Sequence, residues 1–124
     1  MAAKKILILD DSEIALEIAR AALEGAGYAV TTVGTVIDFE RMLPKVKPDA
    51  IITDINMPEM YGDDVCMIFK ESFGITDIPI ILFSDLDEVE LEKRAKSSGA
   101  NGFVCKRWGP ERLVKAMKDI LPMA

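Results

Sequence analysis

Three apolar runs far apart in the chain each end on a reactive polar group. Lys5-Ile-Leu-Ile-Leu9 leads to Asp10 and Asp11, Ala50-Ile-Ile-Thr53 to Asp54, and Gly102-Phe-Val-Cys105 to Lys106. A fourth apolar run ends on Ser84. If these runs are parallel strands of one sheet, their C-terminal ends share the edge at which open α/β sheets bind ligands, and three carboxylates and an ammonium converge there. Two carboxylates about 4 Å apart repel by roughly 4 kcal/mol at an effective dielectric of about 20, and a third adds to that cost. A bound cation relieves it. Oxygen donors without any His in the chain select a hard ion, and an open site with room for water and phosphate oxygens favours Mg2+. Asp54, alone at its strand end, can act as a nucleophile towards phosphorus and form an acyl phosphate. Lys106 then offers positive charge to the equatorial phosphoryl oxygens, where charge stabilisation dominates phosphoryl transfer. Ser84 adds a neutral donor from the adjacent position, and the set contains no strong general base.

The elements that would hold these groups follow from hydrophobic periodicity. Ile6 to Leu9, Ala50 to Ile52, Ile78 to Phe83 and Phe103 to Cys105 are short continuous apolar runs, as strands buried on both faces of a parallel sheet require. Tyr28 to Val33 is more polar and suits an edge. Between the strands lie helical stripes: Ile14, Ile18, Ala21 and Ala22; Val36, Phe39 and Leu43; Val65, Ile68, Phe69 and Phe73; and Leu113, Ala116, Met117, Ile120 and Leu121. The helix expected at Leu86 to Ser98, fourth in order, has only Leu91, Ala95 and Ser98 as its stripe and is expected to be the least firmly docked. Ser12 and Gly109-Pro110 supply helix starts, and Gly25 or Gly27, Gly74 and Gly99 supply stops. Strand and helix alternate in five units, and right-handed crossovers then give a doubly wound parallel sheet with five helices.

Composition bounds the function classes. With 124 residues, half of them hydrophobic, the chain is expected to be a single domain over residues 1–124, burying about two thirds of its unfolded surface without disulfide or structural metal. The net charge of −6 argues against a nucleic-acid or anionic-membrane partner, since both need a basic face. Cys66 and Cys105 lack metal-ligand spacing and are expected to be buried packing residues in a reducing cytoplasm. No apolar span of about 18 residues is present, and the first strand is too short for a signal-peptide core.

Each motif alone has an ordinary structural explanation. Asp11-Ser12 before a helix makes an N-terminal cap, Asp54 to Gly62 makes a polar turn, and Asp85, Asp87, Glu88 and Glu90 complement the dipole of the helix they open. Their joint occurrence at successive strand ends is what points to a shared ligand.

Taken together, Ile-Leu-Asp10-Asp11-Ser, Thr-Asp54-Ile-Asn56-Met-Pro58 with the later Gly62, Ser84 after Ile-Ile-Leu-Phe, and Gly-Phe103-Val-Cys-Lys106 resemble the receiver domain of two-component response regulators along essentially the whole chain. The resemblance implies a flavodoxin-like sheet of order 2-1-3-4-5. It implies that Asp54 accepts phosphoryl from a histidine kinase or histidine phosphotransfer protein. Asp11, Asp54 and the main-chain carbonyl of Asn56 would bind Mg2+ directly, with Asp10 acting largely through water, while Ser84 and Lys106 contact the phosphoryl group. Phe103 stands at the aromatic switch position. It is expected to turn inward as Ser84 moves, altering the face of the fourth helix, fifth strand and fifth helix. The output would be a downstream effector protein or a covalently attached output domain.

Two positions depart from the family pattern. Arg107 stands where Pro usually follows the lysine, and because a cis bond costs roughly 3–4 kcal/mol at a non-proline residue, the Lys106–Arg107 bond is expected to be trans. Asp85 stands where a small residue usually follows the serine. The resemblance therefore implies a phosphorylation-operated switch, not a turnover enzyme, that catalyses its own phosphoryl uptake and slow hydrolysis. The alternatives are a pseudo-receiver serving as an unphosphorylated interaction module, which Asp85 best supports, and an aspartate-dependent phosphatase. The latter expects a carboxylate where Asn56 stands. Nothing after Met117 encodes an effector, so a stand-alone receiver and an excised domain are both open.

Overall fold

The computed structural model describes residues 3–55 and 77–122. Its strands, β1 (Lys5–Leu9), β2 (Ala29–Val33), β3 (Ala50–Thr53), β4 (Ile80–Ser84) and β5 (Gly102–Cys105), pair in parallel in the order β2-β1-β3-β4-β5. This is the expected flavodoxin-like order. The described helices are α1 (Glu13–Gly25), α2 (Val36–Val46), α3 (Glu88–Ser98) and α4 (Pro110–Ile120), with a 3-10 turn at Lys106–Trp108. The expected stripe at Val65 to Phe73, with Cys66, Gly62 and Gly74, lies outside the described residues. The segments expected as fourth and fifth helices are therefore α3 and α4.

Alternation along the strands sorts the core into two layers. Ile6, Ile8, Ile52, Ile81 and Val104 face α1 and α4 and pack with Leu16, Leu23, Leu113 and Met117. Leu7, Leu9 and Ile51 face the other way onto Val36 and Phe39 of α2, while Leu82 and Cys105 meet Leu91 and Ala95 of α3. Every residue of β3 and β4 is buried, as a sheet covered on both faces requires. Local chemistry sets the helix ends. Ser12 Oγ accepts from Ala15 N–H at the start of α1, Asp87 Oδ1 accepts from Glu90 N–H at the start of α3, and Gly99 closes α3 with a left-handed φ of 81°. Pro110 occupies the first turn of α4, where its missing N–H costs nothing.

Two expectations need correction. α1 does not bury Ile14, Ile18 and Ala21; it buries Leu16, Ala19 and Leu23, leaving Ile14 75% and Ile18 49% exposed. The helix is apolar over more than half its circumference, so both faces satisfy the helical period. The sheet takes the face of Leu16, Ala19 and Leu23. β4 begins at Ile80 rather than Ile78, because Pro79 has no N–H for the ladder, although its carbonyl still accepts from Ile51 N–H at 2.9 Å. Among the described residues, no helix is long and apolar enough to cross a membrane.

Candidate functional site

The direction of winding reverses between β1 and β3, and that is where the acids stand. Asp10 N–H donates to Val33 carbonyl at 3.2 Å, and Asp54 N–H donates to Leu9 carbonyl at 2.9 Å. Each bond carries the ladder one residue past the strands, so the side chains leave a fixed backbone. Carboxylate oxygens of Asp10, Asp11 and Asp54 all lie within 4.8 Å of one another, two from buried residues and one from an exposed residue. Lys106, carried over from the far end of β5, places its Nζ 2.7 Å from Asp10 Oδ2 and 3.3 Å from Asp54 Oδ2. The same ammonium sits 5.8 Å from the centre of the Phe83 ring. The remaining oxygens are also directed: Asp10 Oδ1 accepts from Ser12 N–H at 2.9 Å, and Asp54 Oδ1 accepts from Ile55 N–H at 2.7 Å.

Burial pushes the Asp54 carboxyl above its ordinary value, and the neighbouring Asp10 charge raises it further; Lys106 and the Ile55 N–H pull it back without cancelling the rise. Burial alone would lower the Lys106 ammonium. Its hydrogen bond to Asp10 and the charges of Asp54 and Asp10 outweigh that and hold it above the ordinary lysine value. Three carboxylates against one ammonium leave the cluster short of positive charge, which is the condition that favours a bound cation. The donors are oxygens only and one is open to solvent, a set that fits Mg2+ with retained water.

Ser84 is fully buried at the end of β4, between the strands that carry Asp54 and Lys106. Its Oγ accepts from Leu86 N–H at 3.3 Å, so the hydroxyl presently ties β4 to the turn entering α3. Asn56, implied as a main-chain ligand, lies outside the described residues, as do Met57 and Pro58. Phe103 is half-buried on β5 and meets Trp108 with ring centroids 6.1 Å apart. Arg112 in turn lies 4.5 Å over the Trp108 ring. The Lys106–Arg107 bond is trans, and the 3-10 turn that begins there carries Trp108 onto Phe103.

The four charged residues singled out from the sequence thus come together, with Ser84 at the adjoining strand end. Two features were not anticipated. Asp10 is Lys106's nearer partner, a contact across two elements that no local pattern encodes. The Phe103–Trp108–Arg112 stack was also missed, though the four-residue spacing of Trp108 and Arg112 across a helix start was a usable signal.

The family model described as the response regulator receiver domain matches residues 6–118. Among solved structures, the chemotaxis response regulator CheY4 of Vibrio cholerae is 28% identical with a TM-score of 0.86, over 97% of this chain and 100% of that one. The signal receiver domain of a signal transduction histidine kinase from Syntrophus aciditrophicus is 33% identical with a TM-score of 0.84, over 96% of this chain and 90% of that one. Among curated relatives, the DNA-binding dual master transcriptional regulator RpaA of Synechocystis is 26% identical over 94% of this chain, which spans 48% of its length. Protein RcaC of Microchaete diplosiphon is 29% identical over 82% of this chain, which spans 16% of its length.

Proposed function

The chain belongs to the response regulator receiver family, and from that premise we propose that it is a switch thrown by phosphorylation of Asp54. The observation that carries this is the position of Asp54: a buried carboxylate 3.3 Å from the ammonium of half-buried Lys106 and within 4.8 Å of two further carboxylates. Asp54 oxygen attacks the donor phosphorus, one O–P bond forms, and the donor's bond to phosphorus breaks as its leaving group departs with the electron pair. Asp10, Asp11 and Asp54 would hold Mg2+, with Asn56 as the further proposed ligand; when bound, the ion offsets the charge of the incoming phosphoryl group. Asp10 retains Lys106 at the site while the ammonium exchanges Asp54 for a phosphoryl oxygen. Ser84 donates its hydroxyl proton to another phosphoryl oxygen. Turning to do so breaks its bond to Leu86 N–H and loosens the entry to α3, and Phe103 then moves inward from its place beside Trp108. The altered face is that of α3, β5 and α4.

The donor is a histidine kinase or phosphotransfer protein, and the recipient of the signal is an effector protein or an attached output domain. The family setting is cytoplasmic two-component signalling, with the chain acting as one receiver domain over its length. Slow hydrolysis resets the switch, since no residue of the cluster is placed as a strong general base. Incubation with Mg2+ and acetyl phosphate tests the proposal. One phosphoryl mass should appear, fail to appear in Asp54→Asn, and diminish with a chelator. No modification under any condition would leave the pseudo-receiver reading in its place.

A further inference from the structure

Lys106 joins the acid cluster to a neighbouring groove. A groove of about 210 Å³ opens beside Lys106 and is lined by Ser12, Ile14, Ile18, Phe83 and Asp85. Asp85 is exposed, and the cap of α3 is Asp87, whose Oδ1 takes the Glu90 N–H. Helix capping therefore does not account for Asp85. Among the described residues it also has no ion-pair partner, Arg107 included. Lys106 is the one cation lining this groove among the described residues, and it is already held at 2.7 Å by Asp10 and 3.3 Å by Asp54. An anionic donor that approaches Lys106 along the groove consequently meets Asp85 before any uncommitted positive charge.

We propose that Asp85 sets donor selectivity by charge. It disfavours small dianionic phosphodonors and favours a donor that brings a positive charge next to its phosphoryl group. This rests on the assignment of Asp54 as the phosphoryl acceptor. Coulomb repulsion acts most strongly on the donor with the greatest negative charge, and a compensating cation on the donor turns the same carboxylate into an attractive contact. The two outcomes differ in sign, so one residue can separate two donor types that share the same reaction.

Two small donors isolate the effect. Acetyl phosphate is a dianion at neutral pH; its P–O bond breaks and acetate leaves with the electron pair. Phosphoramidate carries an ammonium on phosphorus and one negative charge fewer; its P–N bond breaks and ammonia leaves. In both, the new bond is Asp54 oxygen to phosphorus. With Mg2+ present, phosphoryl uptake is followed by intact mass in the parent, Asp85→Asn and Asp85→Ala. Asp85→Asn should speed uptake from acetyl phosphate roughly threefold to tenfold at low ionic strength and slow uptake from phosphoramidate; an equal gain with both donors would overturn the proposal. The gain should shrink with added salt, and Asp85→Ala should match Asp85→Asn. Equal rates for all three proteins, or a gain in Asp85→Ala alone, would overturn the proposal while leaving Asp54 as acceptor. If neither donor modifies any of the three, the assignment of Asp54 fails and the selectivity proposal fails with it.

Discussion

α1 and α3 flank the same sheet edge but are held there by different means. α1 sets Leu16, Ala19 and Leu23 into the larger core layer, together with Leu113 and Met117 of α4. α3 buries only Leu91, Ala95 and Ser98. What holds α3 together lies along its own surface, where Arg94 pairs with Glu90 at 3.2 Å and Lys96 with Glu92 at 3.0 Å. Such four-residue pairs contribute about 0.3–0.5 kcal/mol each to the helix and nothing to its docking. Under the proposed switch the contrast divides labour: the α1 side fixes the backbone that aims Asp10 and Asp11, and α3 is the helix that shifts when its entry turn changes.

The largest effect should come from the residue that links the two sides. Lys106→Met leaves Asp10 and Asp54 buried without their ammonium, and breaking a buried pair in this way costs about 3–5 kcal/mol. Because the Lys106 ammonium is held above its ordinary value, its contribution is complete below the ordinary lysine range and is lost as pH rises through its folded-state value. Urea denaturation should therefore show parent and variant converging at strongly alkaline pH. Equal midpoints at neutral pH would mean that something other than Lys106 neutralises the acids.

Core truncation separates the two helices directly. Leu23→Ala in α1 should cost roughly 3–4 kcal/mol of global stability. Leu91→Ala should cost roughly 2–3 kcal/mol, with loss of hydrogen-exchange protection confined first to Glu88–Ser98. Global loosening by Leu91→Ala would mean that α3 is as integral to the core as α1. Beryllofluoride with Mg2+, as a phosphoryl mimic, should likewise change protection in α3 and around Phe103 to Trp108 while leaving α1 nearly unchanged. Changes concentrated in α1 and α2 would place the output face elsewhere.

The smallest effect has the opposite sign. The Asp54 carboxyl is raised, first by burial and then by Asp10, so the parent loses stability as pH rises from the ordinary aspartate value through the raised one. Without Mg2+, Asp54→Asn should gain about 1 kcal/mol at neutral pH, or roughly 4 °C in a chain of this length. That gain should fade as pH drops below the ordinary aspartate range.

Much of this was legible from residue types, for identifiable reasons. Ile6 to Leu9, Ala50 to Ile52 and Ile78 to Phe83 are short apolar runs that suit strands buried on both faces, and the polar residues ending them had to meet once the runs paired in parallel. The stripe expected for α3, Leu91, Ala95 and Ser98, is the set that the helix buries. α1 was misjudged because Ile14 and Ile18 share the helical period of Leu16, Ala19 and Leu23, and periodicity alone cannot choose between two apolar faces. The Asp10–Lys106 contact joins residues 96 positions apart by the difference of their numbers, and its partner choice depends on side-chain reach across the sheet. Asp85 was visible as an unusual neighbour of Ser84, but its place in the groove with Ile14 and Lys106 required the fold.

The proposed switch requires phosphoryl to reside on Asp54. Acetyl phosphate and Mg2+ treatment followed by borohydride reduction converts an aspartyl phosphate to homoserine, which peptide sequencing by mass spectrometry locates. Homoserine at position 54 and nowhere else is the predicted result. Homoserine at position 10 or 11, or none at any aspartate while the intact protein carries phosphoryl, would contradict it.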